Sequence, residues 1–295
     1  MKTKRTKFKT GETFIMNAHE ILNIGSNKLK SKNIQTYKID SEILLSKVLK
    51  SNREKILINL DQTISQNQIK EYKKLIYRRS INEPIAYITQ EKEFWSKSFY
   101  VNENTLIPRP ETELLVENVS KIFKKKSIFI LDIGTGSGCI LISLLYEMKN
   151  SRGVGVDISK KALKIAEINA KKHYLTNRIK LFKKSFCQIF NKKFDLVVSN
   201  PPYVKSIDIK NLARDVRGYE PKIALDGGND GLDLIKKVIY KTTDILKIKG
   251  TFALEIGNKQ YKQVSKILFS KNFRIEKVVN DYKENTRCII SRLEK

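Results

Sequence analysis

"ILDIGTGSGCI", Ile130 to Ile140, runs an apolar stretch into Asp132 and then sets glycines at 134, 136 and 138 before helical text that begins near Cys139. Glycine tolerates a positive φ and lets the backbone come close where a side chain would collide, so the pattern reads as a strand turning sharply into a helix. It is not the dinucleotide fingerprint GxGxxG. The third glycine follows after one residue instead of two, and no basic residue stands ready for a pyrophosphate. A tight turn with no ligand would ask for the same glycines.

"VGVDIS", Val154 to Ser159, adds a second strand that ends in Asp157, 19 residues beyond Gly138. An acidic side chain at the tip of that strand can accept hydrogen bonds from both hydroxyls of a ribose lying over the glycine turn. A nucleoside without phosphates is the implied ligand. Asp157 also stands where it can cap the helix of "SKKALKIAE", and Ser159 is available for the same task.

Outward from this turn, strands alternate with helices. Strands are expected at "IFILDIG", "RGVGVDI", "IKLFKK", "DLVVSN", "TFALEIG", "RIEKVVND" and "TRCIISR", with helical text such as "KKALKIAEINAKKHYL" and "GLDLIKKVIYKTTDILK" between several of them. Such alternation demands crossover connections and a mostly parallel sheet covered on both faces. The last two strands have no helix between them and should form an antiparallel hairpin at the end of the sheet. Upstream, from Ala18 to about Arg79, the period is helical: Ile21, Leu22 and Ile24, then Ile43, Leu44 and Val48, then Ile69, Tyr72, Leu75 and Ile76 at spacings of 3 and 4. Asp40 and Ser65 sit where helix caps are expected. This part reads as a small helical bundle. After Pro84, "IAYITQEKEFWSKSFYVNENTLIPRP" is rich in aromatic and branched residues around central polar turn residues, which suits a hairpin and a bridge.

With 295 residues and 40% apolar content, the chain is long enough for one large core or a small domain beside a medium one. No apolar stretch approaches the roughly 20 residues that span a bilayer. Cys139, Cys187 and Cys288 stand far apart, odd in number and with no CxxC spacing, which argues against a disulfide framework or a zinc site. A reducing compartment, the cytoplasm, fits best. The net charge of +27, from 58 basic and 31 acidic residues, would suit an RNA or DNA partner. Yet the lysines are scattered along the whole chain beside Ile and Asn, as a composition bias leaves them. The opening "MKTKRTKFKTGETFIM" has no acidic residue before Glu12 and no apolar segment of a secretory signal, so it reads as a solvated tail, and Met16 as a candidate start.

"VVSNPPYVKS", Val197 to Ser206, follows the fourth strand. The order "DIGTGSG", "VDIS", "NPPY" resembles that of S-adenosylmethionine-dependent methyltransferases acting on planar nitrogen. An amide or exocyclic amine nitrogen shares its lone pair with a neighbouring π system and is a poor nucleophile. Two acceptors aimed at its two N–H bonds turn the lone pair toward the sulfonium methyl and stabilise the positive charge that grows on nitrogen. Asn200 can supply a side-chain oxygen and Pro201 its carbonyl. The prolines stiffen the loop, and Tyr203 can lie flat on the planar group. No general base is required, because the alkylated nitrogen becomes acidic and loses its proton to water. An ordinary turn leaving a strand is the plain alternative.

"DSEILL", "RRSINEPIAYITQEKEFW", "LIPRPETE", "DIGTGSG", "VSNPPY", "EPKIALDGGNDGL", "LEIG" and "NDYKENTR" follow in the order and approximate spacing of the bacterial peptide chain release factor glutamine methyltransferases, the PrmC/HemK family. The resemblance runs from about Asn17 to the C-terminus. It implies a Rossmann-like class I methyltransferase domain, α/β, with a seven-stranded, mostly parallel sheet and an antiparallel C-terminal strand, preceded by a small N-terminal helical bundle. The reaction implied is methylation of the side-chain amide nitrogen of the glutamine in the Gly-Gly-Gln motif of class I release factors. By matching motif positions, Gly134, Thr135, Gly136, Ser137 and Gly138 would wrap the methionine and ribose of S-adenosylmethionine, and Asp157 would take the ribose hydroxyls. Asn200, Pro201, Pro202 and Tyr203 would hold the glutamine amide. Arg109 and Glu111 would order the "PRPETE" segment, which closes over the site.

The resemblance also implies a division of the chain: a basic tail over 1–16, a helical release-factor-binding domain over 17–92, a hairpin and linker over 93–107, and the methyltransferase domain over 108–295. A cytoplasmic monomer that needs neither membrane nor nucleic acid is expected. The chain departs from the family in three places. Asn82-Glu83-Pro84 stands for the common Gly-Glu-Pro and Thr89-Gln90 for Thr-Gly, which puts the turns there in question. Where relatives often carry an acidic residue near the adenine, spacing without gaps places Lys184 and Ser185, with Phe186 next to stack on the base. The rival reading is a nucleic-acid amino methyltransferase, yet no target-recognition insertion appears between Ser127 and Lys295. A catalytically idle binding module is a further alternative, disfavoured by intact Asn200, Tyr203, Asp157 and the three glycines.

Overall fold

The computed structural model describes residues 16–185, 188 and 193–294, so the basic tail, apart from Met16, lies outside the described residues. They fall into two compact units, one ending at Thr89 and the other beginning at Gln90. No described helix is long and apolar enough to cross a membrane.

In the first unit, α1 (Ala18–Lys30) starts at a capping box in which the Glu20 amide donates to Asn17 Oδ1 (2.9 Å) and the Asn17 amide to Glu20 Oε2 (3.0 Å). α2 (Tyr37–Leu49) and the short α3 (Arg53–Ile58) follow. β1 (Met16–Asn17) pairs antiparallel with β2 (Thr63–Ile64). α4 (Gln66–Ser80) begins at Ser65, which caps it through Gln68 as its position suggested, and α5 (Ile85–Thr89) ends the unit. Ile21, Leu44, Leu45, Ile69 and Tyr72 form its core. Each fully buried apolar side chain contributes on the order of 2 kcal/mol.

Asp40 is not a cap. The helix starts three residues earlier, at Tyr37, and Asp40 lies inside its first turn. The buried carboxylate accepts from Thr36 Oγ1 (2.7 Å) and Arg79 Nε (2.6 Å). It ties α2 to α4, a role that a pairing 39 residues away decides.

In the second unit, β3 (Glu91–Phe94) and β4 (Lys97–Tyr100) form a hairpin that begins two residues before the expected boundary at 93. Trp95 and Ser96 at its tip have φ of 53° and 52°, the mirror-image turn whose twist matches the flanking strands. α6 (Glu113–Ile122) leads into a seven-stranded sheet. Its members are β5 (Phe129–Ile133), β6 (Arg152–Asp157), β7 (Ile179–Lys183), β8 (Phe194–Ser199), β9 (Leu246–Glu255), β10 (Phe273–Asn280) and β11 (Thr286–Leu293). α7 (Cys139–Glu147), α8 (Lys160–Lys172), the short α9 (Arg214–Tyr219), α10 (Asp233–Ile245) and α11 (Tyr261–Ser270) lie between them in the chain.

The strand order is β10-β11-β9-β8-β5-β6-β7, parallel except for β11, which runs antiparallel to both β9 and β10. All seven strands are those expected, and the antiparallel one is the last. Side chains alternate between the faces. Ile130, Leu196 and Val198 pack with Leu115, Leu141 and Leu144 on one side, while Leu131, Ile133 and Val197 pack with Ile235, Ile239 and Val264 on the other. From β5 the chain moves outward to β6 and β7, then returns past β5 to β8. Such a reversal leaves a crevice at the carboxyl ends of the two central strands.

Asn82 and Gln90, where the resembled family carries glycine, have φ of 70° and 61°. The backbone there keeps the left-handed geometry that glycine adopts without a Cβ clash. Asn tolerates it better than Gln does. Gln90→Gly is therefore expected to stabilise the protein by about 0.5–1 kcal/mol, read as a higher urea midpoint; an unchanged or lower midpoint would show that the turn carries no such strain.

Candidate active site

At the carboxyl end of β5, Gly134, Gly136 and Gly138 have φ of 74°, 53° and 81°. The amides of Gly134 and Thr135 both donate to Val156 O (2.9 and 3.1 Å), folding the turn back onto β6. A Cβ on Gly138 would press on Ile142 (3.1 Å) and Ala166 (3.3 Å), so this glycine serves helix packing. One on Gly134 would meet nothing within 4 Å and would stand in open space. Asp157, at the end of β6, accepts from the Gly136 amide (3.0 Å) through Oδ2 and the Ser159 amide (2.8 Å) through Oδ1. Ser159 is the cap of α8, with its hydroxyl accepting from Ala162 N (3.1 Å), so Asp157 is left to shape the turn. Burial raises the Asp157 carboxyl against the pull of these amides. Beneath it, Asp132 accepts from Thr135 Oγ1 (2.7 Å), and burial pushes its carboxyl up to about 7.

Ile133 and Ser199 are register partners at the ends of β5 and β8, so the glycine turn and Asn200 leave the sheet side by side. After Tyr203 the loop is pinned from below. Val204 N donates to Leu225 O (3.0 Å) and Gly227 N to Val204 O (2.8 Å). Gly227 has to be glycine here, since a Cβ would lie 2.8 Å from Pro202 O and from Tyr203 Cα. Gln260 Nε2 donates to Tyr203 O (3.2 Å). The third wall is "LIPRPET". Glu220, with its side chain buried, accepts from Ile107 N (3.0 Å) and from Arg109 Nη2 (2.5 Å), so Arg109 orders this segment through an ion pair.

Together these walls enclose a cavity of about 600 Å³ lined by Gly134–Ser137, Asp157, Asn200–Pro202 and Pro108, Arg109 and Thr112. Its size suits a ligand of nucleoside dimensions or larger. An open glycine cradle beside a carboxylate fits S-adenosylmethionine; of the basic residues in the lining, Arg109 is paired with Glu220 and Lys222 with Asp226.

Three expected contacts, Gly138, Ser185 and Tyr203, are not among the residues that line the cavity. Lys184 lines the cavity and Ser185 does not. The Lys184 amide donates to Asp157 O (3.1 Å), extending the β7 ladder by one residue, and alternation then turns the next side chain away. Phe186 lies outside the described residues. Tyr203 is half-buried and is not part of the cavity wall. Its hydroxyl donates to Glu255 Oε1 (3.4 Å), and burial together with the Glu255 carboxylate holds the phenol well above its ordinary range.

The PrmC N-terminal domain model matches residues 20–89, and the Methyltransferase small domain model matches residues 110–216. A release factor glutamine methyltransferase of Buchnera aphidicola subsp. Schizaphis graminum is 42% identical over 258 residues, covering 88% of this chain and 93% of that protein. One from Clostridium acetobutylicum is 37% identical over 267 residues, covering 89% and 94%. The chain belongs to the release factor glutamine methyltransferase family. A bifunctional methyltransferase of Rickettsia typhi is 37% identical over 290 residues, 92% of this chain but 56% of that protein, so the chain spans about half the length of such relatives. Among solved structures, the ribosomal protein L11 methylase of Lactobacillus delbrueckii subsp. bulgaricus superposes with a TM-score of 0.50 at 19% identity over 66% of this chain and 84% of that one. A methyltransferase from Pyrococcus furiosus gives 0.51 at 16% over 67% and 89%. At such identities the likeness is one of fold.

For a release factor glutamine methyltransferase family member, the motif text foretold most of the walls but not the residues that brace them. Asn169, fully buried on α8, accepts from Tyr100 N (2.7 Å) and donates to Tyr100 O (2.9 Å) and Ser137 O (2.9 Å), joining the hairpin to the glycine turn. Thr112 donates to Glu255 Oε2 (2.6 Å) and receives Asn200 Nδ2 (3.3 Å). Burial pushes the Glu255 carboxyl up to about 7. "PRPETE" and "LEIG" were signals for these two, but nothing in either announced that they meet. Asn169→Ala strands one buried and two part-buried backbone groups and is expected to cost about 3 kcal/mol; a denaturation midpoint that does not move would contradict this bracing role.

Proposed function

We propose that the protein transfers a methyl group from S-adenosylmethionine to the side-chain amide nitrogen of the glutamine in the Gly-Gly-Gln motif of class I peptide chain release factors. One observation carries the reading: a nucleoside-sized cavity has the glycine cradle and Asp157 on one side and Asn200–Pro202 on the other. The names of the relatives at 37–42% identity support the substrate. S-adenosylmethionine, when bound, supplies an electrophilic methyl on a sulfonium.

The protein's own groups then have distinct tasks. Gly134, Thr135, Gly136 and Ser137 wrap the donor, Gly138 packs the start of the helix behind them, and Asp157 accepts from its ribose hydroxyls. Asn200 Oδ1 and the Pro201 carbonyl accept from the two N–H bonds of the glutamine amide, turning its lone pair out of conjugation and stabilising charge that grows on nitrogen. Pro202 holds the carbonyl direction, and the half-buried ring of Tyr203 is the surface offered to the planar amide. The helical unit ending at Thr89 grips the body of the release factor, supplying the orientation that a lone side chain cannot. The enzyme works as a cytoplasmic monomer with no need for nucleic acid.

Labelled S-adenosylmethionine incubated with purified release factor, its Gln-to-Ala variant, free glutamine and total RNA tests this directly. Label is expected in the unmodified release factor alone; label in RNA or free glutamine, with none in the factor, would overturn the assignment. Asn200→Ala is expected to abolish transfer while donor affinity stays within about tenfold, since its contribution is made in the transition state. Calorimetric titration with S-adenosylmethionine beside single-turnover assays separates the two, and near-normal turnover in that variant counts against the mechanism.

A further inference from the structure

A carboxamide offers an acceptor at one end and two donors at the other, so the mechanism needs Asn200 held one way round. Its orientation is decided by Thr112, on the facing wall, and by Glu255 behind it. Thr112 Oγ1 lies 2.6 Å from Glu255 Oε2, and both side chains are buried. When ionised, Glu255 can only accept, so the single hydroxyl proton of Thr112 is then committed to it. What Thr112 turns toward Asn200, 3.3 Å away, is a lone pair, and only the NH2 end of the amide can answer it. The planar group then points Oδ1 the other way. Tyr203 spends its hydroxyl proton on Oε1 of the same carboxylate (3.4 Å), so Glu255 holds both ends of the Asn200–Tyr203 loop.

We propose that Thr112 and Glu255 are positioning residues that fix the Asn200 carboxamide with its oxygen toward the substrate amide. The inference rests on the methyl-transfer reading above and adds the device that sets the sense of its hydrogen bonds. Glu255 stands on β9, braced by register pairing with Cys288 on β11, while Thr112 sits just before α6. The acceptor that matters to the chemistry is therefore set by a rigid strand outside the loop. Removing the hydroxyl leaves the amide free to turn over. Replacing the carboxylate by a carboxamide lets residue 255 donate to Thr112, whose proton then swings to Asn200 and favours the reversed amide.

The test compares wild type, Thr112→Val, Thr112→Ser and Glu255→Gln at pH 8.5, where Glu255 is ionised, with release factor as acceptor and calorimetric titration of S-adenosylmethionine alongside. Thr112→Val and Glu255→Gln are expected to lower kcat by about 10- to 100-fold while donor Kd stays within about threefold. Thr112→Ser, which keeps the hydroxyl, should return to within about threefold of wild type. Glu255→Gln changes no volume and stands as the reporter should Thr112→Val not fold. Wild-type kcat in either variant, or a loss of donor affinity that accounts for the whole loss of rate, would overturn the proposal. A wild type that methylates no release factor would bring down the functional reading itself, an outcome separable from the first because it appears before any variant is compared.

Discussion

The parallel pairing of β5 with β8, with Ile133 opposite Ser199, is the constraint on which the site depends. Two strands that end at the same height and send their crossovers in opposite directions leave a gap that neither helix covers. Into it come the glycine turn from β5 and the Asn200 loop from β8, from segments more than 60 residues apart. Neither is a site alone. The turn supplies a backbone surface with space beside it, and the loop supplies directed acceptors.

Around that gap the molecule uses buried and half-buried carboxyl groups as anchors for irregular backbone. Glu220 holds the "LIPRP" segment, Asp157 the glycine turn, and Glu255 both Thr112 and Tyr203. Each accepts donors from two directions, which suits a group with two oxygens and no proton. Desolvation raises all three, so their stability as anions comes from the donors they collect. The cost of burying such charges is met by fixing loops that have no ladder of their own.

Much of this is legible in the sequence. The strand spans, the glycine turn, the crossover order and the antiparallel last strand follow from periodicity and from backbone demands local to each segment. Ser65 was legible as a cap for the same reason. Asp40 was not, since a helix-start signal looks the same whether its carboxylate serves its own helix or a distant arginine. Spacing alone puts Ser185 at the cavity, but the ladder continues to Lys184 and turns the following side chain out of it. Asn82 and Gln90 looked like broken turns because glycine was missing, yet the backbone keeps the glycine-like geometry there.

What the chain by itself determined is the set of elements and the chemical kinds of group at their ends, because hydrophobic period, caps and glycines act over a few residues. What only the tertiary structure decided is which of those groups touch. Thr112 meets Glu255 across 143 residues and Asn200 across 88, and Asn169 reaches the hairpin across 69. Hydrogen bonds of that range have no local signature. They form between groups whose positions exist only once the sheet has fixed where every loop begins.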